Sequence, residues 1–287
     1  MRFFIFYSCM LKRLNRVLAF IFLFYTFTLA SQEMKPSLAQ HRFNVYSQFG
    51  EDGIIQKIFE TIGTQSKVCI EFGAWDGLYL SNTAILWAHQ GWKGVLIESD
   101  ENRFNQMADN TKNYDCLIMN EKVGIGPSNS LEAILKKHAF NAPIDLLSID
   151  IDNDDYYIFD SLVDLKPRVI ICEYNPTMPA HLDIYPEYGK NEMGCSVSAL
   201  MRVGKEKGYS LIAITDCNCF FVKDEEIEKF SNFEIALDKI KIDRYLRYVI
   251  TDYKGKYTTV ASKEFVDPYG FVAPLESAVL GSVKQVN

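Results

Sequence analysis

From Ser47 onward the chain alternates short apolar runs with longer stretches whose apolar residues recur every three or four positions. The first stretch is SQFGEDGIIQKIFETIG, where Ile54, Ile55, Ile58, Phe59 and Ile62 share one helical face and Gly63 offers a stop. Five runs with the length and composition of buried strands follow: Lys67 to Phe72, Gly94 to Glu98, Cys116 to Met119, Ile144 to Ile149 and Arg168 to Glu173. Between them lie amphipathic segments over Leu80 to His89, Asn102 to Thr111, Ser130 to His138 and Asp155 to Val163, each suited to a crossover helix. Strand and helix in strict alternation predict βαβ units and an α/β fold, a mostly parallel sheet with helices on both faces.

After the fifth run the texture changes. NPTMPAHLDIYPEYGKNEMG, with Pro176, Pro179, Pro186, Gly189 and Gly194, reads as a long loop at a strand's carboxyl end, where such loops often cover a substrate. A helix over Val197 to Lys207 is expected next. Tyr209 to Thr215 and Phe220 to Lys223 then read as two strands, antiparallel because so little chain joins them. Glu225 to Tyr248 suits a helix, the tail from Thr251 has no clear pattern, and there is no internal repeat.

The amino terminus stands apart. Residues 17–30, VLAFIFLFYTFTLA, are uncharged and apolar, follow Lys12, Arg13 and Arg16, and precede Ser31 and Gln32. This run is shorter than the roughly 20 residues of a membrane span and suits a signal-peptide core, although its Phe and Leu density also suits a single anchor. Either reading keeps the basic side cytoplasmic and makes the protein membrane-anchored or exported, with the body outside the cytoplasm or in a lumen; a cytoplasmic body is the remaining option. Residues 1–30 are expected to be dispensable for folding.

The composition, 48% hydrophobic and 23% charged, is that of a folded globular protein. The net charge is −7, and the first 30 residues hold four bases and no acid, so the body is more acidic still. Such a body repels phosphate backbones, and no basic run offsets it, which argues against nucleic acid as a partner. There are seven cysteines: Cys9 in the leader and Cys69, Cys116, Cys172, Cys195, Cys217 and Cys219 in the body. Cys69 and Cys172 sit inside apolar runs and should be buried free thiols. Without a CxxC pair or histidines at ligand spacing, a structural zinc site is not expected.

Ligands of open parallel sheets bind beyond the carboxyl ends of the strands. The first strand ends VCIEFGAWDG, where Glu71 and Asp76 supply acids and Gly73 and Gly77 permit a tight turn close to a ligand. The second ends GVLIESD, placing Glu98 where a carboxylate can accept both hydroxyls of a ribose. An acid stands where a helix would receive a pyrophosphate, so the loop favours a cationic or zwitterionic nucleoside, such as a sulfonium; the alternative is a turn with a capping Asp. Trp75 either stacks on a base or packs in the core.

The fourth strand runs into Asp150, Asp152, Asp154 and Asp155, and the fifth into Glu173 and Asn175. Asp150, Asp152, Glu173 and Asn175 should converge in one cleft, as catalytic acids or as ligands of a divalent cation. Asp152 to Asp155 could instead cap the next helix. Of the four histidines only His181, in the long loop, could reach this site. There is no Ser-His-Asp pattern.

SQFGEDGII, IEFGAWDG, SNTAIL, GWKGVLIESD, IDLLSIDIDNDDY, PRVIICEYN, GYSLIAIT and NCFFV, in this order, resemble the FkbM-type class I S-adenosylmethionine-dependent methyltransferases over about Ser47 to Val222. The resemblance implies a Rossmann-like class I methyltransferase fold with a mostly parallel seven-stranded sheet at 67–223. It would be preceded by a leader at 1–30 and a linker with a helix at 31–66, and followed by a helical and irregular extension at 224–287. It implies S-adenosylmethionine as cofactor, with Glu71, Gly73 and Gly77 in its loop, Glu98 on the ribose and Asp150 beside the transferred methyl; Asp76, the second acid of that loop, is expected to join the cofactor-binding residues. The expected reaction is O-methylation of a sugar or small-molecule hydroxyl. A membrane-tethered or exported module with the fold but no turnover is the other expectation, because the leader directs the body away from the cytoplasm, where the methyl donor is made. Asp152-Asn153-Asp154 replaces the family's EG motif. The resemblance supplies no metal, and the acidic cleft is expected to hold a shared proton and not a divalent cation.

Overall fold

The computed structural model describes residues 35–190, 193–241 and 245–261. The apolar run at 17–30 lies outside them, and none of the described helices is long and apolar enough to cross a membrane. A short 3₁₀ turn, Leu38–His41, precedes α1 (Glu51–Ile62). The alternating part then runs β1 (Val68–Phe72), α2 (Ala84–His89), β2 (Lys93–Glu98), α3 (Glu101–Thr111), β3 (Cys116–Asn120), α4 (Leu131–Lys137), β4 (Leu146–Ile149), α5 (Asp155–Ser161) and β5 (Val169–Glu173). It closes with α6 (Val197–Lys207), β6 (Tyr209–Ile214) and β7 (Asn218–Lys223).

These strands form one seven-stranded sheet in the order β3-β2-β1-β4-β5-β7-β6. β1 to β5 are parallel, while β7 is antiparallel to both β5 and β6. The short β6–β7 connection dictates the antiparallel pairing of these two strands, whereas nothing in the sequence pattern shows that β7 inserts between β5 and β6. Side chains alternate between two cores. Ile70, Phe72, Val95, Ile97, Ile170 and Cys172 face α4, α5 and α6. Cys69, Leu96, Val169 and Ile171 face α1, α2 and α3. The result is a Rossmann-like arrangement with helices on both faces. All six described cysteines are free, and Cys69 and Cys172 are fully buried.

Two expected helices differ. The one expected from Leu80 starts at Ala84, because Ser81, Asn82 and Thr83 are drawn onto the Glu71 carboxylate instead. The helix expected over Glu225 to Tyr248 is replaced by a 3₁₀ segment (Asp224–Phe230), the short α7 (Leu237–Ile240) and the strand β8 (Arg247–Thr251), and the patternless tail supplies its partner β9 (Tyr257–Ala261). Among the described residues of the extension, short helical turns and strands are mixed. Ile227, Phe230 and Phe233 all pack on the core, and a spacing of three aligns side chains on a 3₁₀ helix but rotates them around an α-helix.

At the amino ends of the strands, opposite the expected site, Arg168 is nearly fully buried and binds Asp145 (3.1 Å) and Glu226 (2.6 Å), together with the carbonyls of Ile62 and Gly63. Asp145 also accepts the amides of Gln65, Ser66 and Lys67. Burial alone would raise the Glu226 pKa, but hydrogen bonds from Lys229 and Arg168 outweigh it and hold the carboxyl below its usual range. A lowered folded pKa gives stability that is present above the unfolded value and lost as pH falls through the folded one. The difference in melting temperature between the native chain and Glu226→Gln should therefore shrink as pH is lowered from about 6 to about 3. Calorimetric melts of both chains across that range check it.

Candidate active site

The carboxyl ends of β1, β2, β4 and β5 and the start of β7 surround a cavity of about 600 Å³, within the range of small-molecule sites. Glu71, Gly73, Glu98, Asp150, Asp152 and Glu173 all line it. Trp75, Leu80 and Asp152, three of the five described non-glycine residues with positive φ, also line it, so backbone strain is concentrated there.

Each expected residue has a distinct task. Glu71 is buried, and its carboxylate accepts from the hydroxyls of Ser81 and Thr83 (both 2.6 Å) and the amide of Asn82 (2.8 Å). It shapes the cavity wall by pinning the segment before α2. Gly73 has φ +71, and a Cβ there would lie 1.9 Å from the Asp150 carbonyl oxygen, so the β1 and β4 ends touch only because no side chain intervenes. Asp76 does not line the cavity; its carboxylate accepts from the amides of Leu78 and Tyr79. That is the capping-turn alternative. Gly77 is also off the cavity, and a Cβ there would meet Met107 and Thr111 of α3 at 3.2 and 3.3 Å. Its role is helix packing behind the loop.

Glu98 is buried at the end of β2. Its two oxygens accept from the amides of Trp75 and Asp100 (both 2.8 Å), which fixes the carboxylate between the first and second strand ends. Each oxygen retains a further lone pair, so the group can still accept a vicinal diol. Trp75 is 39% exposed and carries the Arg103 guanidinium 3.4 Å from its ring centre. It belongs to the cavity wall, not the core.

On the other side, oxygens of Asp150, Asp152 and Glu173 lie within 4.8 Å of one another. Asn175 does not join them: its Oδ1 accepts from Thr177 and its Nδ2 donates to the Met193 carbonyl, so it ties the long loop. His181 does not line the cavity either; the loop contributes Tyr188 and Gly189. Asp154 stands at the N-cap position of α5 and Asp155 in its first turn, but the Asp154 side chain makes no capping hydrogen bond. Asp154 accepts the Gly189 amide (3.0 Å), anchoring the loop to the site, and Asp155 accepts the Ile151 amide (2.8 Å).

Burial first, then neighbouring carboxylates, push the acids upward. Asp150 is raised well above its ordinary value by burial and by Asp155, Asp152, Glu71 and Glu51. Glu173 is pushed to about 10 by burial, Asp150, Asp155 and Asp152, and Asp155 to about 7 by burial, with backbone hydrogen bonds opposing. Such a group accumulates protons or a cation.

Sequence reasoning missed Glu51 and Asn218. Glu51, fully buried in the first turn of α1, accepts from the Thr215 hydroxyl (2.6 Å) and Asn218 Nδ2 (3.3 Å). The SQFGEDG motif was visible as text, but nothing in its helical period shows that its acid faces the sheet edge. Asn218 is the first residue of β7 and pairs with Glu173, the last of β5. That register exists only because β7 is inserted beside β5.

No family model matches the chain, and no curated protein matches it. It is similar to solved methyltransferase structures. One is an S-adenosylmethionine-dependent methyltransferase from Clostridium acetobutylicum ATCC 824, with 11% identity, a TM-score of 0.41, and coverage of 60% of this chain and 90% of that one. A second is the selenomethionine-substituted CurJ carbon methyltransferase, with 9% identity, a TM-score of 0.44, and coverage of 62% of this chain and 56% of that one. A third, from Aquifex aeolicus, is a SAM-dependent methyltransferase with 10% identity, a TM-score of 0.35, and coverage of 60% and 88%.

Proposed function

We propose that this chain is an S-adenosylmethionine-dependent methyltransferase acting on a hydroxyl of a sugar or other small polar molecule. The observation that carries the reading is the polarity of one cavity: a buried diol acceptor, Glu98, at one side and a cluster of carboxylates at the other, with no pyrophosphate loop between them. A nucleoside joined to a cationic sulfonium and ammonium has that charge pattern, and the FkbM-type resemblance in the sequence points the same way. When bound, the cofactor supplies a methyl whose bond to sulfur breaks, leaving a neutral thioether, as an acceptor oxygen's lone pair forms the new bond to carbon.

The chain's own residues hold and orient. Glu98 accepts the ribose hydroxyls, the Gly73 turn lets backbone approach the ligand, and Trp75 with Arg103 offers a flat face to the base. The acceptor's proton passes to an unprotonated oxygen of the Asp150, Asp152 and Glu173 group. Exposed aromatic rings, Tyr79 and Tyr188 among them, line the cavity and suit a polyhydroxylated acceptor. Most of the rate would come from alignment of acceptor and methyl.

Glu98→Gln should weaken S-adenosylhomocysteine binding by roughly 10–100-fold, because a charged acceptor is replaced by a neutral one at about 1.5–3 kcal/mol, and should lower the melting temperature modestly, because the amide can satisfy only one of the Trp75 and Asp100 N–H groups. Calorimetric titration of the full-length protein measures it. Absence of any binding by the native chain overturns the reading. Binding without methyl transfer to any of a panel of glycans and small alcohols would favour the non-catalytic module over the enzyme.

A further inference from the structure

We propose that Asp150, Asp152 and Glu173, together with the amide oxygen of Asn218, form a site for one hard divalent cation. The ion's part in methyl transfer rests on the reading above, whereas its binding does not.

The three carboxylates each offer an oxygen within 4.8 Å of the others. Oxygens on opposite sides of an ion stand at twice the metal–oxygen distance, about 4.2 Å for magnesium and about 4.8 Å for calcium. The spacing is compatible with three ligands of one ion. Carboxylate and carbonyl oxygens without sulfur or imidazole select magnesium, manganese or calcium.

Asn218 supplies the independent observation. It is 97% buried by its 3% exposure, it lines the same cavity, and its Oδ1 has no hydrogen-bond partner. Its orientation is fixed from the other end, because Nδ2 donates to the Glu51 carboxylate and an oxygen turned that way would be repelled. A buried acceptor left unsatisfied is costly, and native structures rarely tolerate one without an occupant opposite it. Asn218 is the register partner of Glu173 in the β5–β7 pair, so the two residues stand side by side at the same sheet edge and line the same cavity. The same occupant relieves the mutual repulsion of Asp150 and Glu173, whose surroundings supply acids and burial. A cation there would also polarise an acceptor hydroxyl bound at its open positions.

The test uses full-length protein stripped of metal by a chelator and titrated with Mn²⁺, free ion being read from its paramagnetic resonance signal. Saturation at one Mn²⁺ per chain, with displacement by Mg²⁺, is expected. Asp152→Asn, at an exposed position that leaves the core intact, and Glu173→Gln should each weaken Mn²⁺ binding by about tenfold or more, and Asn218→Ala by several-fold. Glu98→Gln should leave Mn²⁺ affinity unchanged. Lack of saturable binding, or equal affinity in the Asp152→Asn and Glu173→Gln chains, overturns the site. S-adenosylhomocysteine titrated into the same metal-free protein separates the two readings: nucleoside binding without Mn²⁺ binding removes only the ion, and the reverse removes only the methyltransferase.

Discussion

Arg168→Leu is expected to lower the unfolding free energy by about 3–5 kcal/mol, the usual result of deleting one member of a buried charge network. The leucine leaves Asp145 and Glu226 facing each other's vacated partner with side chains only 1% and 8% exposed, and it also strips donors from the carbonyls of Ile62 and Gly63. Asp145 retains three backbone amides, so most of the loss should come from Glu226 and from the end of α1. A urea titration of the full-length chain measures the change in midpoint. A loss below about 1 kcal/mol would mean that the network contributes no more than a surface pair. The site lies at the other end of the strands, so ligand affinity of the folded fraction should be unaltered.

Gly73→Ala should abolish S-adenosylhomocysteine binding within the range calorimetry can read, a loss of at least about 100-fold, or about 2.7 kcal/mol. Two effects combine: φ +71 costs an L-residue roughly 1–2 kcal/mol, and the new Cβ would sit 1.9 Å from the Asp150 carbonyl oxygen, forcing the β1 and β4 ends apart. Gly63→Ala is the control. Gly63, at φ +71 and ψ 170, has open space around its Cβ position and lies off the cavity, so Gly63→Ala should lower stability while ligand binding stays normal. Equal ligand affinity in the two variants would remove the β1–β4 contact from the site.

Much of the α/β frame was legible because buried parallel strands write themselves as continuous apolar runs. Val169–Glu173 and Leu146–Ile149 fall inside the predicted runs, and α6 has the predicted bounds. Legibility ended where side chains overrode local pattern. The Glu71 carboxylate delayed α2 by capturing Ser81 to Thr83, and a three-residue spacing on the core made the start of an expected helix a 3₁₀ segment. Within the site, Glu98 and the three acids are visible because strand ends are predictable. Their surroundings are not: Glu51 and Asn218 come from distant chain segments, and Asp76 and Gly77 turn out to serve the loop's back. Spacing along a chain cannot say on which side of a turn a carboxylate points.

The hydrogen bond from Asn218 to Glu51 joins residues 167 positions apart, and the bond from Thr215 to Glu51 joins residues 164 apart. Contacts of such separation form late, because the entropy of closing the intervening chain must be lost before they contribute. During synthesis β1 to β5 can therefore pair while the ligand cavity still lacks a wall, and the acids at their ends stay in water until β7 slides in beside β5. The complete cavity is then a property of the finished chain: a ribosome-stalled product ending before residue 218 would lack the wall that β7 supplies.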